Sequence, residues 1–331
     1  MTLAGKIKDT DYLAISAQIR AMEVNLLTRE VMERALESRS MEEVIKTVRE
    51  HGYPTLRSAD PAAIDSAILQ AREQMEQDIG NALPDRRLME VFQLRHDYHN
   101  LKTLLKARSS GVDGTHILVD LGRVSPDALK AALESGETDF LPGRLGPAAQ
   151  EAKSILDTTR DAQLMDIVLD RWCYREMLEL AEQSPFLAGY IRRQIDGVNL
   201  KSLVRTLRMG KNPEFLRQTL LEGGETGTEE LLAVSANGGS GLRELYAPTA
   251  FAAAAESGAE ALKGGALTEF ERLTENAVEE YLSQARFVPF GEQAVIAYLA
   301  ARETEFTNLR ILLLGRSMDL PGEVIRQRLR G

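Results

Sequence analysis

Cysteine occurs once in 331 residues, and aromatic side chains make up only 5%. A lone Cys173 excludes an internal disulfide and fits a reducing compartment. Flanked by Trp172 and Tyr174, it reads as a packed thiol rather than a reactive one. Long runs of Val, Ile and Thr are missing, so no sheet core is expected. No stretch approaches the ~18 apolar residues of a membrane span. The N-terminal MTLAGKIKDTDYLAISAQIRAME lacks an apolar h-region, so no signal peptide is read there.

Catalytic punctuation is missing too. There is no G-x-x-x-x-G-K-[ST] loop and no G-x-S-x-G elbow. GGSG at 238–241 has no strand–helix context for phosphate. Of only four histidines, His96 and His99 stand three apart, and they read as a solvated or hydrogen-bonded pair rather than metal ligands. No catalytic, cofactor-binding or metal site is expected. Acids outnumber bases 50 to 40, a net charge of −10, which weighs against general nucleic-acid binding.

Ala, Leu, Glu and Arg dominate, and they favour helix, so the expected class is all-α. TREVMERALESRSMEEVIKTVRE starts at the capping residue Thr28 and keeps a helical period, as does LTEFERLTENAVEEYLSQA. Glycine, proline and serine gather at SSGVDG (109–114), SGETDFLPGRLGP (135–147), GGETG (223–227) and SANGGSG (235–241).

One helix is written three times: DYHNLKTLLKAR at 97–108, DGVNLKSLVRTLR at 196–208 and EFTNLRILLLGR at 305–316. The asparagines Asn100, Asn199 and Asn308 are 99 and 109 residues apart. That period suits three copies of a small domain rather than a common solenoid. The expected units are 1–114, 115–222 and 223–331. A further echo, LESGET at 133–138 and LEGGET at 221–226, reads as a helix end with glycine beyond it.

Around each asparagine six offsets agree. An acid stands three before it (Asp97, Asp196, Glu305) and a base two after it (Lys102, Lys201, Arg310). At about 100° per residue the leucines at +1 and +4 and the apolar residue at +5 form one stripe, and the acid falls inside it. The base falls outside, so its ion pair must run to another helix. A buried acid needs a partner. The asparagine one turn on is a candidate, and so is a helix start. The nine residues read as a structural signature. Arg205, Arg208 and Arg310 are candidate basic contacts for partners, weighed against a solvated surface.

These stretches resemble the C subunit of the bacterial and archaeal V/A-type ATP synthase, the counterpart of the d subunit of the eukaryotic vacuolar ATPase. The resemblance spans essentially the whole chain. It includes DYLAISAQIRAMEVNLLTRE with Tyr12, Arg20, Met22 and Glu23, and it is strongest in FVPFGEQAVIAYLAARETEFTNLRILLLGR and LPGEVIRQRLR. Gly197 departs from it, where the other copies carry Tyr98 and Phe306, and the sequence stops at Gly331 where a short tail is expected. The resemblance implies a pseudo-threefold funnel of three helical domains. It also implies a rotor subunit without catalysis of its own, one copy per complex, on the cytoplasmic face of the membrane. Its partners would be the central stalk and the membrane proteolipid ring, and it would couple ATP turnover to proton or sodium transport. A helical scaffold for a soluble protein partner is the alternative.

Overall fold

The computed structural model describes residues 7–56 and 58–330. Outside the described residues lie the first six positions read for a targeting segment, Arg57, and the glycine of the closing LRG. Among the described residues every regular element is helical. The first part of the chain forms α1 Leu13–Glu23, α2 Arg29–Glu37, α3 Met41–Glu50, α4 Pro61–Gly80 and α5 Arg87–Ser110. Next come α6 Pro126–Ser135, α7 Leu145–Thr159, α8 Ala162–Leu180, α9 Pro185–Arg208 and α10 Pro213–Thr219. The last are α11 Thr228–Ala236, α12 Leu242–Tyr246, α13 Ala252–Leu262, α14 Thr268–Ser283, α15 Glu292–Ser317 and α16 Gly322–Arg326.

Local chemistry sets these boundaries. Asp60, Ser125, Ser184 and Asn212 each cap a helix whose first residue is proline. The side-chain oxygen takes an otherwise unpaired N–H, and the proline has none to lose. The stretch opening at Thr28 is two helices rather than one. Thr28 caps α2, the chain turns at Ser38, and Ser40 caps α3. The helical period alone does not show a break that a second serine cap makes favourable.

The chain forms two compact units. One is built from both chain ends, up to Arg86 and again from Glu279. Here α15 packs against α1, α2, α3 and α4, burying Val295, Leu299, Phe306 and Leu312 with Ile15, Val31 and Ile64. The other unit runs from Arg87 to Val278. In it α5 packs on α7 and α8, and α9 packs on α8, α10 and α13. Its second half has a core of Leu200, Leu203, Val204, Tyr246, Phe251 and Phe270. The signature helices are α5, α9 and α15, the longest elements among the described residues.

Candidate functional site: three loop clamps

Each signature asparagine is buried and holds a loop by both backbone groups of one residue. The Asn100 amide donates to the Val119 carbonyl at 2.7 Å and accepts the Val119 N–H at 2.9 Å. Asn199 does the same to Leu221, at 2.8 Å each way. Asn308 does the same to Arg330, again at 2.8 Å each way. An amide side chain presents an N–H donor and a carbonyl acceptor side by side in one plane, so it satisfies both backbone groups of one residue as a strand neighbour would. Leaving those buried loop groups unpaired would be costly.

The acids serve the same loops in two copies. Asp196 accepts the N–H of Glu225 and of Thr226, both at 3.0 Å. Asp97 accepts the Val124 N–H at 3.3 Å and the Arg123 guanidinium at 2.7 Å. Arg123 also pairs with buried Glu176 at 2.7 Å, and Tyr98 donates to that carboxylate at 3.0 Å. The loops pass so close that a Cβ on Gly122 or Gly224 would collide with the acid. In the third copy Glu305 accepts from Tyr53 at 2.5 Å and from Arg302 at 2.6 Å. Arg302 and Arg72 both lie 4.6 Å from the Phe306 ring centroid. Burial pushes Asp97, Asp196 and Glu305 above their ordinary values, against the pull of these donors.

The in-helix partnership expected of acid and asparagine is therefore not the one formed. In the first two copies both reach outward to one loop, because backbone donors there satisfy the carboxylate more fully than an amide could. The outward bases do run to another helix. Lys102 pairs with Asp170 of α8 at 2.6 Å, and Arg310 with Asp65 of α4 at 2.6 Å. Lys201 lies 3.8 Å from Glu275 of α14. One turn further on, Lys106 meets Asp166 and Arg205 meets Glu271, so these helices run antiparallel to their partners.

Of the three candidate contact arginines, Arg205 and Arg310 thus have acids of the same chain beside them. Arg208 donates to the Gly265 carbonyl at 2.9 Å. His99 bonds the Ile117 carbonyl at 3.0 Å. Cys173 is buried, and burial pushes its thiol up to about 12. A cleft of about 780 Å³ lies beside the second clamp, lined by Arg171, Leu178, Arg192, Leu221, Glu229 and Leu232 among others. Arg171 there is held by the carbonyls of Arg217, Gln218 and Leu220, closing off α10.

Gly197 now has a reason. Where the other copies carry an aromatic ring on the helix itself, the ring of Phe251 packs over the glycine, 3.5 Å from where a Cβ would stand. The echo LESGET/LEGGET has no common structure. Gly136 ends α6 in the left-handed region with φ 80°, whereas 221–226 is the loop held by Asn199 and Asp196. The true counterpart of that loop is VDLGRV at 119–124. Both loops read apolar, acid, any residue, glycine, a signal hidden because they follow their asparagines at 19 and 22 residues.

A family model described as ATP synthase (C/AC39) subunit matches residues 15–328. The chain belongs to that family. Among relatives, the C subunit of the V-type sodium ATPase of Enterococcus hirae is 22% identical over 329 residues, covering 97% of this chain and 98% of the relative. The C subunit of the V-type ATP synthase of Thermus thermophilus is 23% identical, covering 94% and 96%. The C subunit of the A-type ATP synthase of Methanocaldococcus jannaschii is 25% identical, covering 95% and 85%. Family membership makes this chain a subunit of an ATP synthase or ATPase assembly. No helix among its described residues is long and apolar enough to cross a membrane.

Proposed function

We propose that this chain is a non-catalytic rotor subunit that joins the central stalk to the membrane proteolipid ring. It couples ATP turnover to proton or sodium transport from the cytoplasmic face, with one copy per complex. Its three related helical domains form a funnel around a pseudo-threefold axis. The observation that carries this reading is the clamp built three times, on Asn100, Asn199 and Asn308. Three buried clamps, each fixing a loop by paired backbone bonds, suit a body that must transmit torque without yielding, because close-packed interiors deform little.

The test is reconstitution of vesicles carrying the membrane sector with headpiece and stalk, with and without this chain. Without it, ATP hydrolysis by the headpiece should continue and ATP-driven ion pumping should vanish. Full pumping in its absence rejects the coupling role. A scaffold for a soluble partner would leave both activities untouched.

A further inference from the structure

The cleft beside the second clamp lies wholly within the unit Arg87–Val278, and one face of α8 forms a wall of it. Arg171, Tyr174, Arg175, Leu178, Glu179 and Glu182 line that wall, three and four residues apart as one helix face requires. The face is polarised. Arg171 and Arg175 stand one turn apart at its first end, and Glu179 and Glu182 at its last. Like charges one turn apart repel unless something neutralises them. Neither arginine has a carboxylate of the described residues at ion-pair distance. Arg171 donates to the carbonyls of Arg217, Gln218 and Leu220, and Arg175 stacks over the Trp172 ring at 5.1 Å.

A third arginine joins them. Arg192 of α9 donates to the Gly223 carbonyl at 3.2 Å, and a Cβ on Gly223 would lie 2.5 Å from Leu178 Cδ1. Leu178 and Arg192 therefore meet over Gly223, about one turn of α8 from Arg175. Arg192 also lacks a carboxylate of the described residues at ion-pair distance. The other charges around the cleft are paired or exposed. Arg217 meets Glu229 at 2.8 Å, Arg144 meets Glu179 at 2.9 Å, and Glu182 and Glu222 are exposed. Acids outnumber bases 50 to 40 in this chain, yet three guanidiniums along one cleft have no carboxylate beside them.

We propose that this cleft binds a phosphomonoester with an apolar body, held by Arg171, Arg175 and Arg192. A phosphate monoester carries nearly two negative charges and three acceptor oxygens, which suits several guanidinium forks at once; a carboxylate satisfies one. Leu178, Leu220, Leu221 and Leu232 supply apolar wall for the body, and a volume of about 780 Å³ is that of a small-molecule site. Backbone carbonyls hold Arg171 and Arg192 in place, and Asn199 fixes Leu221, so little order remains to be imposed on binding. The ligand would brace the loop that Asn199 and Asp196 clamp. This site goes beyond the rotor reading and does not rest on it.

The test uses the full chain and hexyl phosphate, with binding read by calorimetry and by fluorescence of Trp172, the sole tryptophan. Hexyl phosphate should bind saturably, change that fluorescence and raise the unfolding midpoint. Inorganic phosphate and hexanoate, which each lack one half of the ligand, should bind several-fold more weakly. Arg175→Gln and Arg192→Gln should each weaken binding about 3- to 10-fold, and together about 10- to 100-fold, on the scale of charge-assisted hydrogen bonds. Arg175→Lys keeps the charge without the fork and should fall between parent and Arg175→Gln. Arg171 is left in place because it holds α10, and circular dichroism checks the fold of each variant. Arg328→Gln, in the other compact unit, should bind as the parent does. Parent-like binding by the folded double variant overturns the site, and so does the absence of saturable binding at millimolar concentration. Equal affinity for inorganic phosphate overturns the apolar body. Dihexanoyl phosphatidate separates the two sources of such a ligand: tighter binding than hexyl phosphate assigns the site to a lipid headgroup, and equal or weaker binding to a free phosphoester. Ion pumping is not read here, so the rotor reading stands or falls separately.

Discussion

Asn199 shows how much one side chain can hold. It pairs with both backbone groups of Leu221, and both partners are buried. Asn199→Leu leaves that N–H and C=O without partners, which should cost about 1–3 kcal/mol by denaturant unfolding. Asp196 grips the same loop four and five residues on, through the N–H groups of Glu225 and Thr226. A loop already loosened at one end has less to lose at the other. Asp196→Ala and Asn199→Ala together should therefore destabilise less than their sum. Additive losses in the double-mutant cycle would show two independent anchors. Asp196 also makes a pH prediction. Burial raises its folded pKa above the ordinary 3.8. The unfolded chain then binds fewer protons over the window above 3.8, so the stability Asp196 contributes falls as pH rises through its folded pKa. The stability difference between the parent and Asp196→Ala should shrink as pH rises from 3.8, and a difference that grows would reverse the sign argued here.

At the scale of an element, the three signature helices solve the same problems with different residues. The turn after α15 is left-handed at Asp319, where the other copies use glycine. An L side chain in that region is unfavourable by roughly 1 kcal/mol, less for Asp than for most. Asp319→Gly should therefore stabilise the chain by a few tenths of a kcal/mol to about 1, read as a shift in denaturant midpoint. The aromatic place beside α9 is filled from a distance, by Phe251 over Gly197. Phe251 is 2% exposed, so Phe251→Ala should remove about 3–5 kcal/mol through lost burial and the cavity left behind. The antiparallel ion pairs are less consequential. Arg310 and Asp65 are both about half exposed, and such pairs are worth about 0–1 kcal/mol and fade with salt.

The whole molecule divides in a way that crosses the order of the chain. The unit formed by residues up to Arg86 and from Glu279 has α15 at its centre, touching four helices of the N-terminal segment. Residues 87–278 make their own core. A fragment 87–278 should therefore fold alone, with a helical spectrum and a cooperative melt. A fragment 1–86 should be poorly helical until the peptide 279–331 is added. Strong helicity of 1–86 without that peptide would show that α15 is not its organiser. The clamps cross the sequence boundaries at 114 and 222, since Asn100 holds Val119 and Asp196 holds Thr226.

The sequence by itself determined the helical class, the three signature helices and the division of each into an inward acid and an outward base. These follow from a period of about 3.6 residues and from composition, both of which are local. The sequence also carried the loop pattern of apolar, acid, any residue and glycine, but in register with nothing visible along the chain. Only the tertiary structure decided what the buried polar groups hold. Asn199 and Asp196 meet backbone groups 22 to 30 residues away, and Glu305 meets Tyr53 across 252 residues. Backbone N–H and C=O groups are the same in every residue, so no side-chain pattern announces which of them a carboxylate will take. The folded path of the loop selects them, and glycine at 122 and 224 lets the loop come close enough.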